Sequence, residues 1–252
     1  KKPKGKDLTF VGQGPDKTTW QIGPEVPDPK LYGTEYNSDY SFQNAGTITF
    51  KNMKLCTGDK NYLGFTYIDK TVVDHCDIYG RTAYWGYTSA EFIDTTFYAP
   101  PLSYAIWTYC SPTMTFDNCT FNATGKVINV YTDYGAGKRD IKVNFNNCTV
   151  NSISSFLARK QALNINDSNM RPYKYIIHID NPQTIDAALS NTTCSQLFGF
   201  KEDKNTGFTG NTGYTDVYLD GDLVWTNGKM KTHSYTVGEK EDAYEITGRS
   251  DW

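Results

Sequence analysis

Two carboxylates, Asp133 and Asp140, flank a glycine-rich stretch in the segment "TDYGAGKRD" (132–140). Glycoside hydrolysis needs such a pair about 5 to 9 Å apart, with one carboxyl group protonated to assist the leaving group and the other ionised. The adjacent lysine and arginine could tune or neutralise the pair. The alternative is an ordinary glycine turn whose charged side chains are solvated. Catalysis by Asp133 and Asp140, as acid and as base or nucleophile, is therefore one hypothesis.

Aromatic residues surround a recurring threonine in "GFTY", "GYTS", "IWTY" and "VYTD", which begin at residues 64, 86, 106 and 130. Aligned on the threonine, these stretches predict an exposed aromatic strip about 15 to 20 Å long, with one strand per ~4.8 Å, while the glycines and threonines point inward. Flat aromatic faces edged by hydroxyls and a carboxylate suit sugar rings or a protein hot spot. The alternative is cross-strand packing beneath a loop or the C-terminal region. The predicted ligand-binding residues are Phe65, Tyr67, Trp85, Tyr87, Trp107, Tyr109, Tyr131, Asp133 and Arg159.

A repeat predicts the elements that would position these residues. The segment "FDNCTF" at 116–121 returns as "FNNCTV" at 145–150, and related segments begin at Phe50, Val73, Phe92 and, more weakly, Ile179. Apolar residues in the first and sixth columns predict a buried interior. Small polar residues in the third column predict a corner where a left-handed backbone is tolerated. With a second strand ahead of each copy, coils of about 20 to 30 residues predict an all-β parallel solenoid.

The six cysteines, at 56, 76, 110, 119, 148 and 194, show no C-x-x-C spacing, and the three histidines are scattered along the chain. We therefore expect no metal site. Cys119 and Cys148 share one column on adjacent coils, about 4.8 Å apart, where a disulfide is conceivable. Buried reduced thiols are the favoured alternative, because Met53 and Thr95 occupy the same column and cysteine packs as a small hydrophobe.

The opening "LTFVGQGPDKTTW" (8–20) and the F-x-N-C-T-F segments resemble right-handed parallel β-helices of the pectate-lyase-like class. The resemblance is greatest to adhesive domains of that shape in Gram-positive surface proteins, and it covers about residues 8–180. It implies an extracellular protein, secreted or attached to the bacterial surface, whose β-helix has about six to seven coils. It implies little about function, because one fold hosts many activities. The strings "NTD", "DD", "GHG" and "RIK" of polygalacturonases do not occur, so pectin cleavage is not expected.

The C-terminal part of the chain departs from the repeat. The segment "VYLDGDLVW" (217–225) predicts a β-hairpin with Asp220-Gly221 at its turn. Before it, "KEDKNTGFTGNTG" (201–213) predicts an exposed loop. We therefore expect the right-handed β-helix over 1–180 and a small C-terminal β cap or appendage over 181–252. A linker into a next domain is the alternative for 181–252.

Composition narrows the functional classes. A net charge of −3 with both signs interspersed lacks the basic footprint of a nucleic-acid partner. No apolar run approaches the roughly 18 residues of a membrane span, and the basic start is not followed by the apolar segment of a signal peptide. We expect a monomeric soluble fragment of a larger protein, acting without a cofactor as a binding module for a glycan or a host protein such as an immunoglobulin. A two-aspartate glycoside hydrolase and a stalk that only spaces other domains are the alternatives.

Overall fold

The structure is a computed structural model that describes residues 5–21, 39–85, 89–99, 104–109, 113–122, 126–131, 140–151, 163–166, 175–181, 183, 215–226, 229–230, 233–236 and 243–246. Within these residues the regular structure is entirely β, as the sequence predicts. None of the described residues forms a helix of the length and hydropathy that a membrane crossing requires.

The first sheet is a stack of parallel strands followed by two antiparallel pairings at its end. In spatial order its parallel strands are β1 (Leu8–Val11), β4 (Thr47–Lys51), β6 (Lys70–Asp74), β8 (Ser89–Ile93), β11 (Thr113–Asp117), β14 (Ile141–Asn146), β17 (Tyr175–Asp180) and β18 (Thr215–Leu219). Two antiparallel strands follow, β19 (Asp222–Thr226) and β20 (Lys229–Met230). From β1 to β17, consecutive members of the parallel series are not consecutive in the chain, because strands of the second sheet lie between them in sequence.

The second sheet consists of two parallel runs joined by two long strands that belong to both. The short run contains β2 (Thr19–Gln21), β5 (Lys54–Thr66), β7 (Asp77–Trp85), β9 (Thr96–Tyr98), β12 (Thr120–Asn122) and β15 (Thr149–Asn151). The long run contains β3 (Asp39–Gln43), β5, β7, β10 (Tyr104–Tyr109), β13 (Lys126–Tyr131) and β16 (Leu163–Asn166). A separate antiparallel pair is formed by β21 (His233–Thr236) and β22 (Ala243–Ile246).

One coil of the chain passes from the first sheet to the short run, then to the long run, and returns to the first sheet. The strands β8, β9, β10 and β11 follow this route in sequence. Stacked parallel strands visited in this order are compatible with a parallel β-helix, in which each coil buries its surface against its neighbours.

The corners between the first sheet and the short run lie where the repeat predicts them. The first-column residues pair with one another across neighbouring strands, for example Phe92 with Phe116 and Phe116 with Phe145. The third-column residues have positive φ values of 44 to 52°, a left-handed conformation that Asn and Asp tolerate better than most residues. These residues are Asn52, His75, Asp94, Asn118, Asn147 and, with φ 46°, the weaker copy's Asn181.

Phenylalanine rings fill the interior between the first sheet and the short run. Phe116 stacks between Phe92, at 4.8 Å, and Phe145, at 5.1 Å, measured between ring centroids. On the facing strands Phe97 and Phe121 stack at 4.8 Å, and Phe121 meets Phe116 edge to face at 5.2 Å. Rings at paired positions of neighbouring strands therefore form two columns that run from coil to coil, and the columns meet edge to face. Such ring contacts stabilise the fold beyond the burial of apolar area alone.

The fourth column of the repeat is buried, as the sequence predicts. Its residues are Met53, Cys76, Thr95, Cys119 and Cys148. The three thiols are free, so the disulfide alternative for Cys119 and Cys148 is not realised. The Cys119 thiol donates to the carbonyl of Phe92 on the preceding coil, at 3.4 Å. Burial raises the pKa of the Cys76 thiol to about 11, because the charged thiolate would lose its hydration.

The hairpin predicted around Asp220-Gly221 is present. The strands β18 and β19 pair antiparallel, and Asp220 and Gly221 have φ values of 47° and 82°, the positive pair that tight hairpins require. The strand β18 also pairs in parallel with β17, so the first sheet continues past position 180. The loop predicted at 201–213 lies outside the described residues.

Candidate functional site

Three of the predicted ligand-binding aromatics occupy one register column of the long run. Trp85 on β7 pairs with Tyr109 on β10, and Tyr109 pairs with Tyr131 on β13. Thr66 precedes this column on β5, and Asn166 follows it on β16. The coils thus bring together residues that lie 24 and 22 positions apart in the chain, as the pairings Trp85 to Tyr109 and Tyr109 to Tyr131 show.

Phe65, which the sequence predicts in the exposed strip, is instead part of the core. Its side chain has no exposed surface, and its ring stacks on that of Tyr84 at 4.9 Å. The threonine alignment is wrong here, since the strand pairing matches Phe65 with Tyr84 rather than with Tyr87. The two alignments differ by three positions, and any odd shift moves every side chain to the other face of a strand. Gly64, which the sequence predicts to point inward, is the chain neighbour of Phe65 and so has the opposite strand parity.

The other predicted residues are distributed as follows. Tyr67 is 65% exposed and lies directly after β5 with a φ of 53°. Trp107 pairs with Ala83 and Asn129, so it lies outside the register column of Tyr109 and Tyr131. It is two residues before Tyr109 and therefore has the same strand parity. Asp140 is exposed immediately before β14. Tyr87, Asp133 and Arg159 lie outside the described residues.

An aromatic pair that sequence reasoning missed lies on the outer side of the short run. Tyr79 and Tyr98 follow the buried Ile78 and Phe97 in register, so the alternation of a strand directs them away from the core. Their rings stack at 4.2 Å with an angle of 8° between planes, and the Lys54 ammonium lies 5.1 Å from the Tyr79 ring centroid. The signal was available, because "DIY" and "TFY" repeat the same pattern 19 positions apart.

Stacking of this kind changes what an aromatic column can offer a ligand. The Tyr79–Tyr98 rings use their faces for each other, and His178 and Tyr218 on the first sheet do the same at 4.6 Å and 7°. Neighbouring parallel strands are about 4.8 Å apart, which is close to the separation of stacked rings. These two stacked pairs therefore present edges and polar atoms outward, rather than flat faces.

The environment of the tyrosine pair modifies two ionisable groups. Burial, helped by a hydrogen bond with the Tyr79 side chain, raises the pKa of the Tyr98 hydroxyl. Burial also raises the pKa of Asp77, two residues before Tyr79, although the nearby Lys54 ammonium opposes this effect. The Tyr98 hydroxyl therefore stays neutral over the physiological range. Both phenol groups can donate and accept hydrogen bonds.

A polar cluster is centred on the corner between β6 and the following strand, and its contacts join four successive coils. Lys51 Nζ contacts Asp74 Oδ2 at 2.9 Å, and Asp74 Oδ1 lies 2.6 Å from His75 Nδ1. His75 Nε2 faces Asp94 Oδ2 at 3.4 Å, and the Asn118 amide donates to the other Asp94 oxygen. The repeat aligns positions 75, 94 and 118 in its third column. The expectation of no metal site considered only spacing along the chain, so it missed this cluster.

Asp74 and His75 each stabilise the charged form of the other. Hydrogen bonds from Lys51 and His75 lower the pKa of Asp74. The hydrogen bond to Asp74 raises the pKa of His75, partly opposed by desolvation, and Asp94 adds a smaller electrostatic contribution in the same direction. The His75 side chain is 61% exposed, so solvent screens these interactions.

Comparison of the chain with protein-family models, curated protein sequences and solved structures returns no match.

Proposed function

We propose that this protein is an extracellular binding module that recognises a glycan through the outer side of the long run. The observation that carries the proposal is the register column of Trp85, Tyr109 and Tyr131 on three successive parallel strands. Aromatic side chains combine a large apolar body with an indole N–H or phenol O–H, which is the composition that sugar recognition uses.

The spacing of the column supports an extended ligand that runs along the stack. Strands about 4.8 Å apart place like groups at even intervals, so a chain of sugars can make similar contacts on successive coils. Trp107 lies two residues before Tyr109 with the same strand parity, which is opposite to that of the buried Ile106, and we include it in the proposed binding surface. A ligand that contacts several coils gains affinity from each of them.

A glycan array tests this proposal with purified protein. We expect binding to a restricted set of glycans, weakened at least about tenfold, or ~1.4 kcal/mol, by Trp85→Ala and by Tyr109→Ala. Tyr98→Ala is the matched control, because it removes an aromatic from the outer side of the short run instead. Unchanged circular dichroism must accompany each variant. Equal losses in all three variants, or binding only to immobilised host proteins, would contradict glycan recognition by this column.

The proposal also includes a more specific classification of the fold. The parallel strands and their left-handed corners support a right-handed, pectate-lyase-like β-helix of about six to seven coils with a C-terminal β cap. A secreted or surface-attached bacterial protein with an adhesive role would use such a stack as a rigid display surface. A handedness read from an experimental structure tests the classification independently of ligand binding.

A further inference from the structure

The corner cluster of Asp74, His75 and Asp94 has the composition of a cation site. Each residue offers one ligand atom, and the three atoms lie within 4.8 Å of one another. Two of the residues come from consecutive corners of the repeat, and the third immediately precedes His75. The imidazole nitrogen distinguishes this cluster from an ordinary group of solvated carboxylates, because nitrogen ligands favour zinc, copper and nickel over calcium and magnesium.

The requirements of the corner do not explain why these residues are present. Asn52, Asn118 and Asn147 occupy equivalent corners with φ values of 52°, so asparagine satisfies the backbone there. The sequence replaces asparagine at two successive corners, and the replacements are a histidine and an aspartate. These two side chains face each other across the coils at 3.4 Å.

The separation of the two proposed ligand atoms fits a tetrahedral ion. Ligand atoms about 2.0 to 2.1 Å from a tetrahedral Zn²⁺ are separated by ~3.4 Å, and His75 Nε2 and Asp94 Oδ2 are 3.4 Å apart. Asp74 accepts from the other imidazole nitrogen at 2.6 Å, which is the carboxylate–histidine arrangement that orients zinc ligands. Lys51 and Asn118 engage the remaining oxygens of Asp74 and Asp94, so both carboxylates are held in place.

We propose that His75 Nε2 and Asp94 Oδ2 bind a Zn²⁺-like divalent cation across two coils, with Asp74 positioning the imidazole. Water fills the remaining coordination positions, because His75 is exposed. The cation takes the place of the proton that otherwise links the imidazole to Asp94, and it ties the β6 corner to the β8 corner. This site does not depend on the glycan-binding proposal.

Isothermal titration of the full chain with ZnCl₂, after treatment with EDTA and dialysis into a non-chelating buffer at constant pH, tests the site. His75→Asn is the decisive variant, since neighbouring corners carry asparagine and the backbone conformation is retained. We expect loss of one Zn²⁺ equivalent in His75→Asn and at least tenfold weaker binding in Asp94→Asn. Asp74→Asn should weaken binding about 10- to 100-fold, the range observed for carboxylates that orient a ligand.

His178→Ala is the matched control, because His178 lies on the same sheet but stacks on Tyr218. It should leave the stoichiometry unchanged. In a second readout, ¹H–¹⁵N spectra of the histidine rings should show a Zn²⁺-dependent shift of the His75 Nε2 resonance with Nδ1 remaining protonated. Unchanged stoichiometry in His75→Asn, or a Ca²⁺ affinity equal to that for Zn²⁺, would overturn the proposal.

Discussion

Replacing Asn118 by alanine should destabilise the stack through two separable effects. Asn118 has a φ of 52°, and its side-chain amide donates to Asp94 on the preceding coil. Alanine loses the hydrogen bond and also places a Cβ in a left-handed backbone without the local polar interactions that make asparagine tolerant of it. Asn146→Ala is the matched control, because Asn146 also donates to an aspartate on the preceding coil, Asp117, but has no positive φ.

The magnitudes follow from these two terms. A hydrogen bond of this kind contributes about 1 kcal/mol, and the left-handed conformation costs alanine roughly 1 kcal/mol more. Asn118→Ala should therefore lower the free energy of unfolding by about 2 kcal/mol and Asn146→Ala by about 1 kcal/mol. Asn118→Gly removes the hydrogen bond and relieves the backbone, so it should fall near the control.

Urea denaturation followed by both circular dichroism and tryptophan fluorescence measures these differences. Coincident transitions are required, since stacks of repeats can lose cooperativity. In a chain of 252 residues, 2 kcal/mol corresponds to a thermal midpoint lower by roughly 4 to 8 °C. Equal losses of unfolding free energy in Asn118→Ala and Asn146→Ala would contradict the predicted cost of the corner conformation. So would an Asn118→Gly variant with the lowest free energy of unfolding of the three.

Two further predictions concern ionisable groups. In the presence of EDTA, His75 should titrate above its ordinary pKa of 6.5, because Asp74 favours the protonated ring; Asp74→Asn should lower the value measured by NMR. The resulting stabilisation is complete below the unfolded-state pKa and is lost as the pH rises through the folded-state pKa, and a ring titrating at or below 6.5 would refute it. Site-resolved iodoacetamide labelling of the native protein should modify partly exposed Cys56 faster than buried Cys76 and Cys119, because burial raises the pKa of both buried thiols. Equal rates in native protein would contradict the buried column.

The repeat in the first sheet could be predicted from sequence because each copy carries its own local instructions. An apolar first column and an Asn or Asp third column define a buried strand end and a left-handed corner within four residues, as at Phe116 and Asn118. These preferences are local, so differences in coil length do not disturb them. The hairpin at Asp220-Gly221 was predictable for the same reason, since its turn chemistry is contained in two residues.

The long run could not be aligned in this way. Strand β5 inserts extra residues between Cys56 and Tyr62 where β7 has only Gly80 between their partners, and the register shifts there. Alignment on the threonines matches Thr66 with Thr88, whereas the strand pairing matches Thr66 with Trp85, three positions earlier. An odd offset reverses the face assigned to Phe65. The burial of Phe65 against Tyr84 depends on the hydrogen bonds actually formed between coils.

By itself, therefore, the sequence determined the class of structure, the corner positions and the interior columns, because each depends on the conformational and burial preferences of single residues. Tertiary structure decided which aromatics share a column, as for Trp85, Tyr109 and Tyr131, and which polar groups meet at a corner. His75 and Asp94 are 19 positions apart, and only the path length of one coil places them 3.4 Å from each other. The repeat aligns the two positions in one column, but the contact between their side chains, and the addition of Asp74 and Lys51 to it, depend on the pairing of whole coils, which no local pattern encodes.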